Sequence, residues 1–321
     1  MDKWLVGVDL GGTTIKLAFI NFDGEIQQKW EIHTDISDQG INIVNDIANA
    51  IEAKIVELGK NKDDFVGIGM GAPGAVNPLN GSIFEAINLG WKDYPLQERL
   101  SEASKLPVFI ENDANIAALG EMWKGVGAGA KNLVCITLGT GIGGGVIVNG
   151  SLVQGVSGAA GEIGHMTVVF ENGYACNCGK SGCLETVASA TGIVRIAMEG
   201  LKQHSDSALY RIFEERGSLT AEDVTSCVGE GDEYAIEVLD RVSHYLGLAL
   251  ANIGNVLNPE KIVIGGGVSK AGDILLHNLK AYFEKYAFVR VRKSTDLAIA
   301  TLGNDAGVIG AAWLVKSRLV K

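Results

Sequence analysis

Val8-Asp9-Leu10-Gly11-Gly12-Thr13-Thr14-Ile15-Lys16, followed by Phe19-Ile20-Asn21, has a counterpart later in the chain: Ile136-Thr137-Leu138-Gly139-Thr140-Gly141, followed by Ile147-Val148-Asn149. Each copy reads as an apolar strand, a glycine turn and a second apolar strand. The offset is 128 residues at both ends, from Val8 to Ile136 and from Asn21 to Asn149. A strand-turn-strand unit written twice in 321 residues predicts two related α/β domains. The pattern around each copy agrees. Trp4 to Asp9, Ile15 to Phe22 and Glu25 to His33 read as strands, with Asp23-Gly24 as a hairpin turn. Ile41 to Leu58 has helical spacing, Phe65 to Met70 and Val108 to Glu111 are strands, and Ala114 to Trp123 is a helix. In the second half Leu133 to Leu138 is a strand, residues 139–145 a turn and Val146 to Val148 a strand. Helices run from about Val187 to Leu257, and Lys261 to Ile264 is a further strand. A last helix, Asp305 to Lys316, is expected to cross back onto the first domain. No linker-like segment occurs, so the boundary near residue 120 reads as a hinge and not a tether.

The glycine turns suggest a ligand. Gly11 and Gly12 leave bare N–H groups that can nest an anion. Thr13 and Thr14 add hydroxyl donors, and Lys16 adds a positive charge. Asp9 is out of place beside phosphates unless it holds Mg²⁺, directly or through water. The loop from Leu138 to Gly145, with Thr140 and Gly141, is similar but lacks the acid. Gly265-Gly266-Gly267 is a third loop, at the carboxyl end of a strand, where α/β proteins bind ligands. None is the dinucleotide fingerprint or the Gly-Lys-Ser/Thr P-loop. One such loop alone is an ordinary turn. Three, two of them duplicated, point to a nucleotide phosphate site in an interdomain cleft.

His165, Cys176, Cys178 and Cys183 offer one imidazole and three thiols within nineteen residues, a full tetrahedral set for structural zinc. Gly179 and Gly182 permit the reversals that fold such ligands round one ion. Four protein ligands leave no open position for water, so the zinc is not expected to be catalytic. Glu162 and Glu185 flank the cluster, placed to grip a polyhydroxylated ligand. Disulfides are disfavoured by an odd cysteine count, five, and by a start, Met-Asp-Lys-Trp, without a signal segment.

The net charge of −11, with no basic run, excludes nucleic acid and anionic membranes as partners. No apolar stretch reaches membrane-span length. Val238 to Leu257 comes nearest but contains Asp240, Arg241 and His244. A cytoplasmic globular protein is expected. Glycine is abundant at 43 residues and proline scarce at 5, which places the glycines in packed turns and not in disordered linkers. Glu111-Asn112-Asp113 lies between a strand and a helix. It suits helix capping by Asn112 or Asp113. It equally suits a general base for a hydroxyl nucleophile in phosphoryl transfer, and the two roles are compatible.

Together, Asp9-x-Gly-Gly-Thr-x-x-Lys16, Glu111-Asn-Asp113, Leu138-Gly-Thr-Gly-x-Gly-Gly-Gly145, Glu162-x-Gly-His165 and Cys176-x-Cys-Gly-x-x-Gly-Cys-x-Glu185 resemble the ROK family of sugar kinases and repressors, and most of all its glucokinases. The resemblance implies the actin/hexokinase-like ATPase fold and ATP-dependent phosphorylation of a hexose. It makes Asp113 the base on the sugar 6-hydroxyl. It makes Asn88, Asn112, Glu162, His165 and Glu185 sugar contacts, and His165, Cys176, Cys178 and Cys183 zinc ligands. His165 would then serve zinc with one ring nitrogen and sugar with the other. ATP would lie on Asp9, Gly11, Gly12, Thr13, Lys16, Thr140, Gly141 and Gly265 to Gly267. Residues 1–119 with about 305–321 would form a small sugar kinase domain. Residues 120–304 would form a large domain with the zinc loop and nucleotide region. A homodimer is the usual state in that family. The sugar-sensing repressor alternative is set aside, since the first strand starts at Trp4 with no preceding helix-turn-helix and the charge is acidic. Fructose, mannose, allose and N-acetylmannosamine remain open beside glucose, as does polyphosphate beside ATP, although Gly265 to Gly267 favours an adenosine pocket.

Overall fold

The structure, a computed structural model, describes residues 3–319. The chain opens with strands β1 (Trp4–Leu10), β2 (Thr14–Ile20) and β3 (Ile26–His33), then helix α1 (Ile43–Glu57) and β4 (Phe65–Ala72). Short strands β5 (Ala75–Val76), β6 (Ile83–Ala86) and β7 (Trp91–Tyr94) form a small sheet, followed by α2 (Leu96–Ser104), β8 (Val108–Asn112) and α3 (Asp113–Trp123). The later part contains β9 (Leu133–Leu138), β10 (Ile142–Val148), β11 (Ser151–Leu152), α4 (Glu185–Ala188), α5 (Ala190–Gly200), α6 (Ala208–Arg216), α7 (Ala221–Gly229) and α8 (Glu233–Leu257). It continues with β12 (Lys261–Gly265), α9 (Asp273–Tyr286), α10 (Val291–Ser294), β13 (Asp296–Ile299) and α11 (Ala306–Leu319).

Two five-stranded sheets share one plan. The first is ordered β3-β2-β1-β4-β8 and the second β11-β10-β9-β12-β13. In the first, β1 pairs antiparallel with β2 and parallel with β4, and β4 is parallel to β8. In the second, β10 and β11 are antiparallel, and β12 is parallel to both β9 and β13. The duplication seen in the sequence is thus a duplication of topology.

By residue contacts the chain forms two compact units. The first comprises Met1–Lys131, Gly145–Gly161 and Leu302–Lys321, and the second Asn132–Gly144 and Glu162–Thr301. The division falls at residue 131 instead of near 120, and residues 145–161 return to the first unit. One cause is Glu121, a buried carboxylate near the end of α3. It accepts the N–H of Val126 at 3.0 Å and of Leu302 at 2.8 Å, which fastens the stretch beyond α3 to the first unit.

Period-two alternation builds the first core. Val6, Val8 and Leu10 of β1 enter one apolar layer with Ile43, Ile47, Ile51 and Ile55 of α1, while Leu5 enters another with Val308, Ile309 and Ala312 of α11. Each fully buried isoleucine contributes about 1.5–3 kcal/mol. The last helix packs on the first unit; residues 320–321 of the expected tail lie outside the described residues. One expectation is corrected. Residues 142–145 are not turn but strand, since β10 begins at Ile142. Glycine in a strand serves close approach: a Cβ on Gly145 would meet the Ala118 side chain of α3. Among the described residues no helix is long and apolar enough to cross a membrane.

Candidate active site

In the first unit the parallel register fixes the acids. Asp9 pairs with Gly71, and Gly71 with Glu111, so these residues form one row at the carboxyl ends of β1, β4 and β8. Asp113 follows two residues later as the first residue of α3. Antiparallel pairing sets Lys16 opposite Asp9, with Nζ 3.9 Å from Oδ2. Burial pushes the Asp9 carboxyl above the usual carboxylate range; Lys16 opposes this, and the Asp113 charge adds to it. Gly12 and Thr13 stand exposed at the hairpin tip. Contrary to the expectation of a bare donor, the Gly11 N–H closes the turn on the Thr14 carbonyl at 3.1 Å, which leaves Gly12 at the tip. Thr34, buried just after β3, carries no signal in the sequence. Its hydroxyl donates to the Gly11 carbonyl at 2.8 Å and its N–H to the Thr13 carbonyl at 3.0 Å.

Asn112 caps α3. Its Oδ1 accepts from Ala114 N–H at 2.9 Å and Asn115 N–H at 3.3 Å, and its Nδ2 donates to the Gly74 carbonyl at 3.1 Å. The Asp113 carboxylate also accepts from Ala114 N–H, at 2.8 Å. Asp113 reaches solvent but is crowded by protein. That desolvation pushes its carboxyl above the usual range, against hydrogen bonds from Ala114 and Asn112. Next to it in the chain is Glu111, part of the Glu111-Asn112-Asp113 motif but without an assigned role in the sequence reading. Glu111 is buried and accepts from Asn112 N–H and the Asn115 amide, both at 2.9 Å, and from the Gln154 amide at 2.5 Å. Nothing local in the sequence marks Gln154. Asn88 lies exposed on the turn Ile87–Leu89.

In the second unit the donor atoms of His165, Cys176, Cys178 and Cys183 all lie within 4.8 Å of one another. Cys176 Sγ is 3.6 Å from His165 Nδ1, and Cys178 Sγ is 3.6 Å from Cys183 Sγ. Among the described residues no cysteine is in a disulfide. Bridges Thr167↔Cys183 and Ala175↔Ser181 fold the loop back on itself, and Gly179 and Gly182 turn it at φ 88° and 76°. Burial, then the Cys178 and Cys176 sulfurs, push the Cys183 thiol up to about 12, so its ionisation here needs a compensating charge. A cage of three sulfurs and an imidazole fits zinc. His165 Nε2 points the other way, 3.8 Å from Glu162 Oε2. Glu185 starts α4, and its Oε2 accepts the N–H of Ile142 at 2.9 Å. Thr140 is exposed and Gly141 half-buried. β12 pairs Gly265 with Thr137 of β9, which sets the third loop beside the second, with Gly266 and Gly267 exposed.

Twin sheets of one plan, each with a glycine turn after its first strand and polar groups at its carboxyl ends, define the actin/hexokinase-like ATPase class. The chain belongs to the ROK family, whose model matches residues 5–318. It is 57% identical over 317 residues to a glucokinase of Halalkalibacterium halodurans, covering 99% of this chain and 96% of that one. It is 38% identical over 316 residues to a glucokinase of Thermotoga maritima, covering 98% of each. Among solved structures, a ROK family glucokinase from Streptomyces griseus in complex with glucose and AMPPNP superposes with a TM-score of 0.80 at 31% identity, covering 98% of this chain and 99% of that one.

Proposed function

We infer that this chain is a glucokinase, transferring the γ-phosphoryl group of ATP to the 6-hydroxyl of glucose, with Asp113 as general base. The observation that carries the assignment of the base is the Asp113 carboxyl. It is held by the α3 cap, is open to solvent, and is raised by crowding toward a basicity suited to accepting a hydroxyl proton. The 57% identity to a glucokinase supports glucose as the acceptor.

The step balances as follows. Asp113 takes the proton of the 6-hydroxyl, the O6–Pγ bond forms, the bond from Pγ to the bridging oxygen of ADP breaks, and Asp113 later returns the proton to solvent. Little covalent help is needed, so positioning and charge neutralisation dominate. Lys16 and the N–H groups of Gly12, Thr140 and Gly141 would supply positive potential for the phosphates, while the Gly11 N–H stays on the Thr14 carbonyl. Asp9 offers the oxygen ligand that a magnesium ion, direct or through water, would use, and that ion would supply the neutralising charge. Asn88, Asn112, Glu162, His165 and Glu185 would hold the sugar hydroxyls. Zinc on His165, Cys176, Cys178 and Cys183 would fix His165 and the flanking acids in place.

A coupled assay with ATP and glucose, fructose, mannose, allose or N-acetylmannosamine tests the reading. Glucose should give the highest kcat/KM. A preference of tenfold or more for another of these sugars, on the scale of about 1.4 kcal/mol, would displace glucose as the substrate.

A further inference from the structure

We propose that Glu185 couples the hexose site to the phosphate loop of the second unit, so that sugar and triphosphate tighten each other's binding. The inference rests on the kinase reading above and extends it. Glu185 sits two residues after the thiol of Cys183, at the start of α4. Its Oε2 takes the Ile142 N–H at 2.9 Å, across 43 residues of sequence. The same oxygen occupies the space that a Cβ on Gly141 would fill. Two more ties follow directly along the chain: Ala190 N–H donates to the Gly139 carbonyl at 2.9 Å, and the Thr191 hydroxyl to the Thr140 carbonyl at 3.0 Å. Residues 185–191 thus hold the loop at each position from Gly139 to Ile142.

Oε1 of Glu185 makes no hydrogen bond among the described residues, and the side chain is half-buried. That oxygen is free to accept a sugar hydroxyl while its twin stays on the loop. A carboxylate beside a loop that must receive a triphosphate opposes the ligand electrostatically. A hydroxyl donated to Oε1 shares the charge between two donors and pins the carboxylate. The N–H groups of Thr140 and Gly141 then meet the phosphates against less repulsion. Linkage requires the same factor in the other direction, nucleotide on sugar. A carboxylate suits this role because both oxygens accept; an amide keeps one acceptor and loses the charge.

The test is calorimetric titration of wild type and Glu185→Gln with Mg²⁺ and AMPPNP, without glucose and with glucose saturating each protein. In wild type glucose should tighten AMPPNP about 5- to 10-fold, and in Glu185→Gln less than about twofold. Equal tightening in the two proteins overturns the proposal, as does AMPPNP affinity indifferent to glucose in wild type. A second measurement needs no variant: the ¹⁵N–¹H resonance of Ile142 should move when glucose alone is added. An unmoved resonance at saturating glucose overturns the proposal even if the variant folds poorly. Failure of wild type to bind either ligand would overturn the kinase reading as well, a result distinct from two ligands binding independently.

Discussion

The two glycine loops follow the same strand plan but are held in place by different parts of the chain. In the first, Thr34 places its hydroxyl on the Gly11 carbonyl and its N–H on the Thr13 carbonyl. In the second, the Thr191 hydroxyl meets the Thr140 carbonyl and Ala190 N–H the Gly139 carbonyl. The first brace comes from the residue just after the adjoining strand β3; the second comes from a helix, the Thr191 bond spanning 51 residues of sequence. The acids differ in the same way. Asp9 is built into the first loop's own strand, whereas Glu185 brings a carboxylate to the second loop from beside the Cys/His cluster. Duplication therefore kept what each loop presents, backbone N–H groups at a strand end, and left the buttress free to change.

That contrast predicts unequal responses to substitution. The largest belongs to the first unit. Asp113→Asn should lower kcat about 10²- to 10⁴-fold while leaving the KM for glucose near wild type. It should also raise the melting temperature at neutral pH. The folded carboxyl sits above the ordinary value of 3.8, so its contribution to stability is fully present below that value and is lost as pH rises through the raised one. The ionised form is thus a cost at pH 7 that asparagine removes. For the same reason kcat of the wild type should fall as pH drops through this raised value. A variant within a few-fold of wild-type kcat would reduce Asp113 to a helix cap.

Next in size is the Cys/His loop of the second unit. Cys178→Ser should lose most of its zinc by elemental analysis and raise the KM for glucose about 10- to 100-fold. Residues 185–191 also hold the second glycine loop, the proposed phosphate site, so the KM for ATP should rise as well, by a smaller factor. Hydrogen exchange in β1 and β2 should stay as in wild type, since their core and braces lie within the first unit. A glucose-only effect would mean that the Cys/His loop and the second glycine loop are mechanically separate.

Glu111→Gln should come third. Glutamine has one acceptor oxygen where three donors converge, from Asn112, Asn115 and Gln154, so one or more is left unpaired at about 1–3 kcal/mol. The loss should appear in stability and as a roughly tenfold lower kcat, because Asn112 sets the direction of Asp113. Unchanged kcat with lowered stability would make Glu111 purely structural.

Legibility follows distance along the chain. β1 and β9 are short apolar runs and α1 has helical spacing, all local signals, and the reading matches β9 at both ends and the other two to within two residues. The metal donors lie within nineteen residues, so their convergence is legible in the sequence alone. The bonds from Gln154 to Glu111 and from Ile142 to Glu185 each span 43 residues, and no periodicity records such a pairing. The β5-β6-β7 sheet leaves no sequence signal because strands of two to four residues are too short to show alternation. Gly143 to Gly145 read as turn because glycine marks turns more often than strands. Only the packing of Gly145 against Ala118 explains why the strand needs it.

The smallest effects test the braces themselves, by Thr34→Val and Thr191→Val. Both remove one hydroxyl and keep the side-chain shape. Thr34 is 1% exposed, so its loss strands the Gly11 carbonyl where water reaches it poorly, at about 1–2 kcal/mol. Thr191 is exposed, so water can replace its hydroxyl on the Thr140 carbonyl, and the cost should be under about 0.5 kcal/mol. Each loop still presents its N–H groups, so kcat should hold in both variants. The KM for ATP should rise a few-fold in Thr34→Val and less in Thr191→Val, where Glu185 and Ala190 still grip the loop. A Thr191→Val effect equal to or larger than that of Thr34→Val would show that the helix-borne brace, and not the strand-borne one, sets the geometry at the phosphates.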